Sequence, residues 1–136
     1  MANVLFVDDE ESLRRAVRAG LGRRGHSVRT ARSVSRAIRC LELYGFDGIF
    51  VDVWLGGESG FDLLSWVENH KSSLARRVVF VTGDISLGDR KQGELHALGL
   101  PVIAKPFELD ALEEHIARWI RPGDQTSAAA RVPRPR

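Results

Sequence analysis

Five polar side chains in this chain stand directly after short apolar runs, and their types would suit a phosphoryl group and a divalent cation. Asp8 and Asp9, with Glu10 beside them, follow Val4-Leu5-Phe6-Val7, and Asp52 follows Gly48-Ile49-Phe50-Val51. Thr82, with Gly83 and Asp84, follows Val78-Val79-Phe80-Val81, and Lys105-Pro106 follows Pro101-Val102-Ile103-Ala104. A carboxylate such as Asp52 can attack phosphorus and form an acyl phosphate, provided the approaching anions are neutralised. Asp9 and Asp52 offer the hard oxygen ligands that Mg²⁺ prefers. Lys105 supplies a point charge on a flexible stem, and Thr82 one hydroxyl donor. Each residue also has a plainer role: Asp9 or Glu10 could cap a helix, Lys105 could form a salt bridge, and Thr82 is a strand former. Three carboxylates crowded without a cation would repel one another, which weighs against capping alone.

Each apolar run is short, partly β-branched and flanked by turn residues, as expected of a strand covered on both faces of a parallel sheet. Ligands of such sheets sit beyond the carboxyl ends of the strands, which is where all of these groups fall. Between the runs lie helical patterns. Leu13, Ala16, Val17 and Leu21 share a face, and Gly20, Gly22 and Gly25 are expected to mark its frayed end. Residues 26–30 alternate weakly and read as an edge strand. Ser33 is placed to cap a second helix carrying Val34, Ala37, Ile38 and Leu41, with Gly45 stopping it. A Gly-rich loop, Gly56 to Gly60, leads to a third helix with Phe61, Leu64 and Val67 inward. A fourth helix over about 87–98 is poorly specified, since Gly88 and Gly93 lie inside it. Leu109, Leu112, Ile116 and Trp119 define a fifth. The alternation predicts a doubly wound α/β domain with a five-stranded parallel sheet and five helices. The domain is expected to span 1–122, with 123–136 an Arg- and Pro-rich tail or linker without an apolar face.

With these motifs in order, the chain resembles the receiver domain of two-component response regulators over roughly residues 3–120. The resemblance rests on Val7-Asp8-Asp9-Glu10, on Asp52 with Gly60 after it, on Val81-Thr82-Gly83 and on Lys105-Pro106-Phe107. It implies a flavodoxin-like strand order 2-1-3-4-5 and a phosphoacceptor at Asp52. It implies Mg²⁺ bound by Asp9, Asp52 and the backbone carbonyl of Trp54, with Asp8 acting through a metal-bound water, and a cis Lys105-Pro106 bond. It further implies a histidine kinase as phosphodonor and a downstream protein whose binding is switched through Thr82 and Lys105. Such a bacterial protein processes itself and is not an enzyme in the ordinary sense. The chain departs from the family pattern at Val102, where an aromatic is usual, so signalling is expected not to need a ring there. It departs again at Gly56, where Pro is usual, so a looser loop is expected. Trp54 is a bulky neighbour for the acceptor.

Other function classes fit less well. A haloacid-dehalogenase-like phosphohydrolase would carry a second Asp where Trp54 stands. A pseudo-receiver, binding proteins without phosphorylation, is the alternative that the retained Asp8, Asp9, Asp52, Thr82 and Lys105 speak against. Nucleic-acid binding is not expected: residues 121–136 hold four Arg, and no reader motif follows the domain. A content of 43% hydrophobic residues suits a globular fold. No apolar run has the length of a membrane span, and the start lacks a signal-peptide layout. The single Cys40 excludes an internal disulfide and suits a reducing cytoplasm. The four histidines lack zinc-ligand spacing. Residues 11–39 hold nine Arg and only Glu11 as an acid, either a solvated face or a docking surface for an acidic partner. Oligomeric state is left open, a homodimer included.

Overall fold

The computed structural model describes residues 1–83 and 99–120. Strands β1 (Asn3–Val7), β2 (Ser27–Ala31), β3 (Gly48–Asp52), β6 (Val78–Thr82) and β7 (Val102–Ala104) form one sheet in the order β2-β1-β3-β6-β7, every pairing parallel. A separate two-stranded hairpin, β4 (Trp54–Leu55) and β5 (Glu58–Ser59), accounts for the gap in numbering. Leaving it out, the order is the expected 2-1-3-4-5. The three central strands β1, β3 and β6 are buried along their whole length. The edge strand β2 alternates between exposed and covered positions. These patterns follow from helices lying on both faces of the sheet.

Helix α1 (Glu11–Arg23) and the C-terminal helix α4 (Leu109–Trp119) cover one face. Val17, Leu21, Leu112, Ile116 and Trp119 pack there with Val4, Phe6, Phe50, Val79 and Val81. The other face is covered by α2 (Val34–Leu43) and α3 (Gly60–His70), which pack Ala37, Leu41, Leu63, Leu64 and Val67 against Leu5, Ile49, Val51 and Phe80. A short 3₁₀ turn, Ser72–Arg77, leads into β6. Ser33 caps α2 as expected, accepting a hydrogen bond from the Arg36 amide at 3.2 Å. The helix expected over 87–98 and the segment 121–136 lie outside the described residues. Among the described residues, no helix is long and apolar enough to cross a membrane.

Two sequence expectations need correction. Gly20 does not mark the frayed end of α1: it is buried within the helix, where a Cβ would press on the Leu109 side chain, and the helix continues to Arg23. Ala16 is exposed, so the covered stripe of α1 is Val17, Gly20 and Leu21. The Gly56-Gly57 segment forms a tight turn. Both glycines have positive φ, +51° and +96°, and join β4 to β5 as a two-residue hairpin turn. Positive φ at both central positions is the turn whose twist matches flanking strands, and glycine adopts it without steric cost.

Candidate functional site

All five polar residues singled out from the sequence lie at the C-terminal edge of the sheet. Asp8 and Asp9 follow β1, Asp52 ends β3, Thr82 ends β6 and Lys105 follows β7. The parallel register sets their relative depth: Asp52 pairs with Val81, and Thr82 with Ala104. The amide of Lys105 then donates to the Thr82 carbonyl at 2.8 Å, which fixes where the lysine leaves the sheet. The Lys105-Pro106 peptide is cis, as the family resemblance implies.

The ammonium of Lys105 is the electrostatic centre. Nζ stands 2.7 Å from Asp52 Oδ2 and 2.7 Å from Asp8 Oδ2. The contact with Asp52 is a directed hydrogen bond. Asp8 Oδ2 is fully buried, and the ammonium 2.7 Å away is the charge that balances it. Asp8 Oδ1 accepts from the Glu10 amide at 2.9 Å, and the Asp8 amide donates to the Ala31 carbonyl at 3.0 Å. Asp8 is thereby held rigidly. Asp52 Oδ1 accepts from the Trp54 amide at 3.1 Å.

Burial raises the Asp52 carboxyl above its ordinary range, and Asp8 adds to the rise. The hydrogen bond and charge of Lys105 and the Trp54 amide oppose it. Burial pulls the Lys105 ammonium down, but its contacts with Asp52 and Asp8 outweigh that and hold it above its ordinary value. The physical content is a lysine that stays charged, facing carboxylates that are costly to leave unbalanced.

The acidic cluster fits a hard divalent cation. One oxygen each from Asp8, Asp9 and Asp52 lies within 4.8 Å of the others, and Asp9 is exposed at the mouth. All-oxygen donors with open positions for water are the set that Mg²⁺ takes. The buried carboxylate of Asp8, which shares a single ammonium with Asp52, points the same way.

Packing beneath the site is tight. The backbone of Gly60, first residue of α3, presses on the Asp52 carbonyl so closely that no Cβ fits, and the Phe80 ring closes the other side. Phe61 stacks on Phe80 with centroids 5.0 Å apart. Gly83 is exposed, and a Cβ there would make only ordinary contact with the Lys105 stem, at 3.6 Å. Val102 is half-buried beside Phe80 in the register. Trp54 is 48% exposed at the mouth.

Three residues outside the sequence-level set also shape the site. Gly56 lies against Asp9, Glu58 reaches the Val34 amide at 3.1 Å, and Ser59 caps α3 by accepting from the Phe61 amide at 3.1 Å. The Gly-Gly pair was the one available signal, since that dipeptide between two short runs marks a hairpin. Elsewhere, Arg15, Arg18 and Arg23 of the Arg-rich segment line a shallow depression on α1 together with Ala19 and Gly22.

A parallel five-stranded sheet with acidic residues after β1 and at the end of β3, a threonine at the end of β6 and a lysine after β7 defines a receiver-type signalling domain. The family model for the response regulator receiver domain matches residues 4–117, and the chain belongs to that family. It is 33% identical over 117 residues to the alginate biosynthesis transcriptional regulatory protein AlgB of Pseudomonas putida, a match covering 86% of this chain and 25% of AlgB. The chain thus spans about a quarter of the length of that relative. Among solved structures, the chemotaxis response regulator CheY4 of Vibrio cholerae superposes with a TM-score of 0.76 at 29% identity, covering 88% of this chain and 99% of that one. A response regulator from Burkholderia pseudomallei, solved with a phosphorylated aspartic acid, a calcium ion and citrate, gives 0.74 at 25% identity, covering 96% and 74%.

Proposed function

We propose that this domain accepts a phosphoryl group on Asp52 from a histidine kinase, with Mg²⁺, and uses the phosphorylated state to change its affinity for a downstream protein. The observation that carries this reading is Lys105 Nζ at 2.7 Å from both Asp52 and Asp8, beside a cluster with room for a cation. In transfer, an Asp52 oxygen forms the new O–P bond while the donor's N–P bond breaks, and the departing imidazole takes up a proton. Asp8, Asp9, Asp52 and the Trp54 carbonyl would hold the cation, Asp8 through a bound water. The cation would neutralise the phosphoryl oxygens during attack.

The protein's own groups do the rest. The Trp54 amide holds Asp52 Oδ1, which orients the carboxylate. Lys105, on its flexible stem, can leave Asp52 Oδ2 for a phosphoryl oxygen, and the Thr82 hydroxyl can donate to another. Because Val102 offers no ring to rotate, movement of the backbone around Thr82 and Lys105 carries the switch to the partner surface. The Burkholderia neighbour, which holds a phosphorylated aspartate with a divalent ion, supports the reading. The lone Cys40, whose thiol burial pushes above its ordinary value, suits a cytoplasmic setting beside the kinase.

Incubation with acetyl phosphate and Mg²⁺ tests the proposal. Intact mass should rise by one phosphoryl group, and Asp52→Asn should abolish the gain. Thr82→Ala should still take the label but fail to change partner binding or dimerisation on phosphorylation. Absence of label on the wild type would favour a protein-binding module that works without phosphorylation.

A further inference from the structure

Helix α2 turns a basic face to solvent. Its inward positions, Val34, Ala37 and Leu41, are buried against the sheet. Outward, Arg36, Arg39 and Leu43 follow one another at spacings of three and four residues and share a stripe. Ser35 and Glu42 flank it, Arg32 stands just ahead of the helix, and all six are exposed. Among the described residues, Arg32, Arg36 and Arg39 take part in no ion pair, although Glu42 is three residues from Arg39. Like charges at helical spacing repel, so this stripe gains when an anion arrives. Arg29 of β2 lies over the Tyr44 ring, 3.4 Å from its centroid, and adds charge at the Leu43 end.

The arginines of α1 are placed differently. Arg15 pairs with Glu11 at 3.8 Å and Arg24 with Asp110 at 2.9 Å. The exposed positions between them, Ala16, Ala19 and Gly22, offer no large apolar side chain. On α2 the stripe ends in Leu43, which is 53% exposed and one of three large apolar side chains exposed among the described residues.

We propose that the outer face of α2 docks an acidic segment of a partner protein, whose carboxylates meet Arg32, Arg36 and Arg39 and whose one apolar side chain packs on Leu43. A nucleic-acid backbone would match the arginines alone; it leaves Leu43 uncovered and meets the Glu42 carboxylate. The helix is already fixed at both ends. Ser33 accepts from the Arg36 amide, Glu58 from the Val34 amide, and the Tyr44 amide donates to the Cys40 carbonyl. A surface ordered in advance loses little freedom on binding. Docking here does not depend on phosphoryl transfer at Asp52.

The test is fluorescence anisotropy of a labelled synthetic peptide, built of glutamates and alanines around one leucine, titrated with the full chain. A labelled DNA duplex is the rival probe. Salt is held at about 0.15 M, where charges more than about 8 Å apart are screened. The wild type should bind the peptide. Arg36→Gln combined with Arg39→Gln should weaken binding about tenfold, the scale of two exposed ion pairs. Leu43→Ser should weaken it about fivefold, as for half-burial of a leucine, and so should replacing the peptide's leucine by serine. The two changes together should cost no more than either alone, because they remove one contact. Arg15→Gln combined with Arg18→Gln should leave the affinity unchanged, and so should Asp52→Asn, which separates this surface from the phosphorylation reading. No peptide binding by the wild type, or equal losses from the α1 and α2 arginine pairs, would overturn the proposal. So would tighter binding of the duplex with no effect of Leu43→Ser.

Discussion

Glu58 Oε1 accepts a hydrogen bond from the Val34 amide at 3.1 Å, so the hairpin that follows Asp52 is tied to the first turn of α2. A carboxylate at a helix N-terminus gains from the bond and from the helix dipole. Glu58→Ala should therefore destabilise the domain by about 1 kcal/mol, measured by urea denaturation. Glu58→Gln keeps an oxygen acceptor without the charge and should lose less. Equal stability of all three chains would mean that the contact contributes nothing.

That contact also marks where the sequence stops being legible. Asp8, Asp9, Asp52, Thr82 and Lys105 could be found because each follows a run of buried apolar residues, and the strand-end rule for parallel sheets gathers such groups. The Ser33 cap and the stripe of α4 were equally readable from local spacing. The order of the strands came through the family resemblance, since alternation alone does not select it. The hairpin strands, Trp54–Leu55 and Glu58–Ser59, are too short to show a period. The Glu58–Val34 bond joins residues far apart in sequence, and only the packed sheet brings them together. Gly20 was misread because a glycine near a helix end ordinarily stops it, whereas here it is buried inside α1 against the Leu109 side chain. The buried Asp47, which accepts from the Asn3 amide at 2.7 Å, carried no signal in the local sequence.

Gly60 should be intolerant of any side chain. The Asp52 carbonyl is backbone and cannot move aside, and the Phe80 ring would lie 3.2 Å from an added Cβ. Gly60→Ala should cost about 1–3 kcal/mol, the range of overpacked interiors. Because the displaced atom belongs to Asp52, phosphoryl labelling should fall further than stability alone accounts for. Mass spectrometry at a temperature where the variant remains folded separates the two effects.

Removing the Lys105 ammonium should have opposite effects on fold and on metal binding. In Lys105→Met, Asp8 Oδ2 stays buried and faces Asp52 with no positive charge between them. The metal-free protein should lose about 1–3 kcal/mol, below the full range for a buried pair because Lys105 retains some solvent contact. Mg²⁺ should bind more tightly than to the wild type, since the ammonium no longer competes for the same oxygens, and should restore much of the lost midpoint. Labelling by acetyl phosphate should slow. Weaker Mg²⁺ binding in Lys105→Met would show that lysine and cation do not share these oxygens.

His115 should give the stability curve a slope on the acid side of neutrality. Burial lowers its ring below the ordinary 6.5, the Arg118 guanidinium adds to this, and Glu114 opposes it. The ring meets Phe50 edge-on at 6.5 Å. A depressed folded value means that the unfolded chain binds the proton more readily. The histidine's contribution is therefore complete above its ordinary value of 6.5 and is lost as pH falls below it toward the folded value. Between pH 7 and 5 the wild type should lose more stability than His115→Gln, and the ring's NMR titration should show a midpoint below 6.5. Parallel curves for the two chains would remove His115 from the acid response.

The last core layer supplied by the chain should be Trp119, and residues 123–136 should be dispensable. Trp119 is 6% exposed and packs on Phe50 with ring centroids 5.0 Å apart, while Leu112 and Ile116 of the same helix are fully buried. Trp119→Ala should cost about 3–5 kcal/mol, the usual loss for a large buried aromatic. The segment beyond has an Arg-, Ala- and Pro-rich sequence without an apolar stripe. Ordering such residues would cost about 1–2 kcal/mol each for little burial. A chain ending at Pro122 should thus keep the thermal midpoint of the full chain and take the acetyl phosphate label at the same rate. A fall of many degrees on truncation would mean that the segment docks on the domain, and the boundary at 122 would have to move.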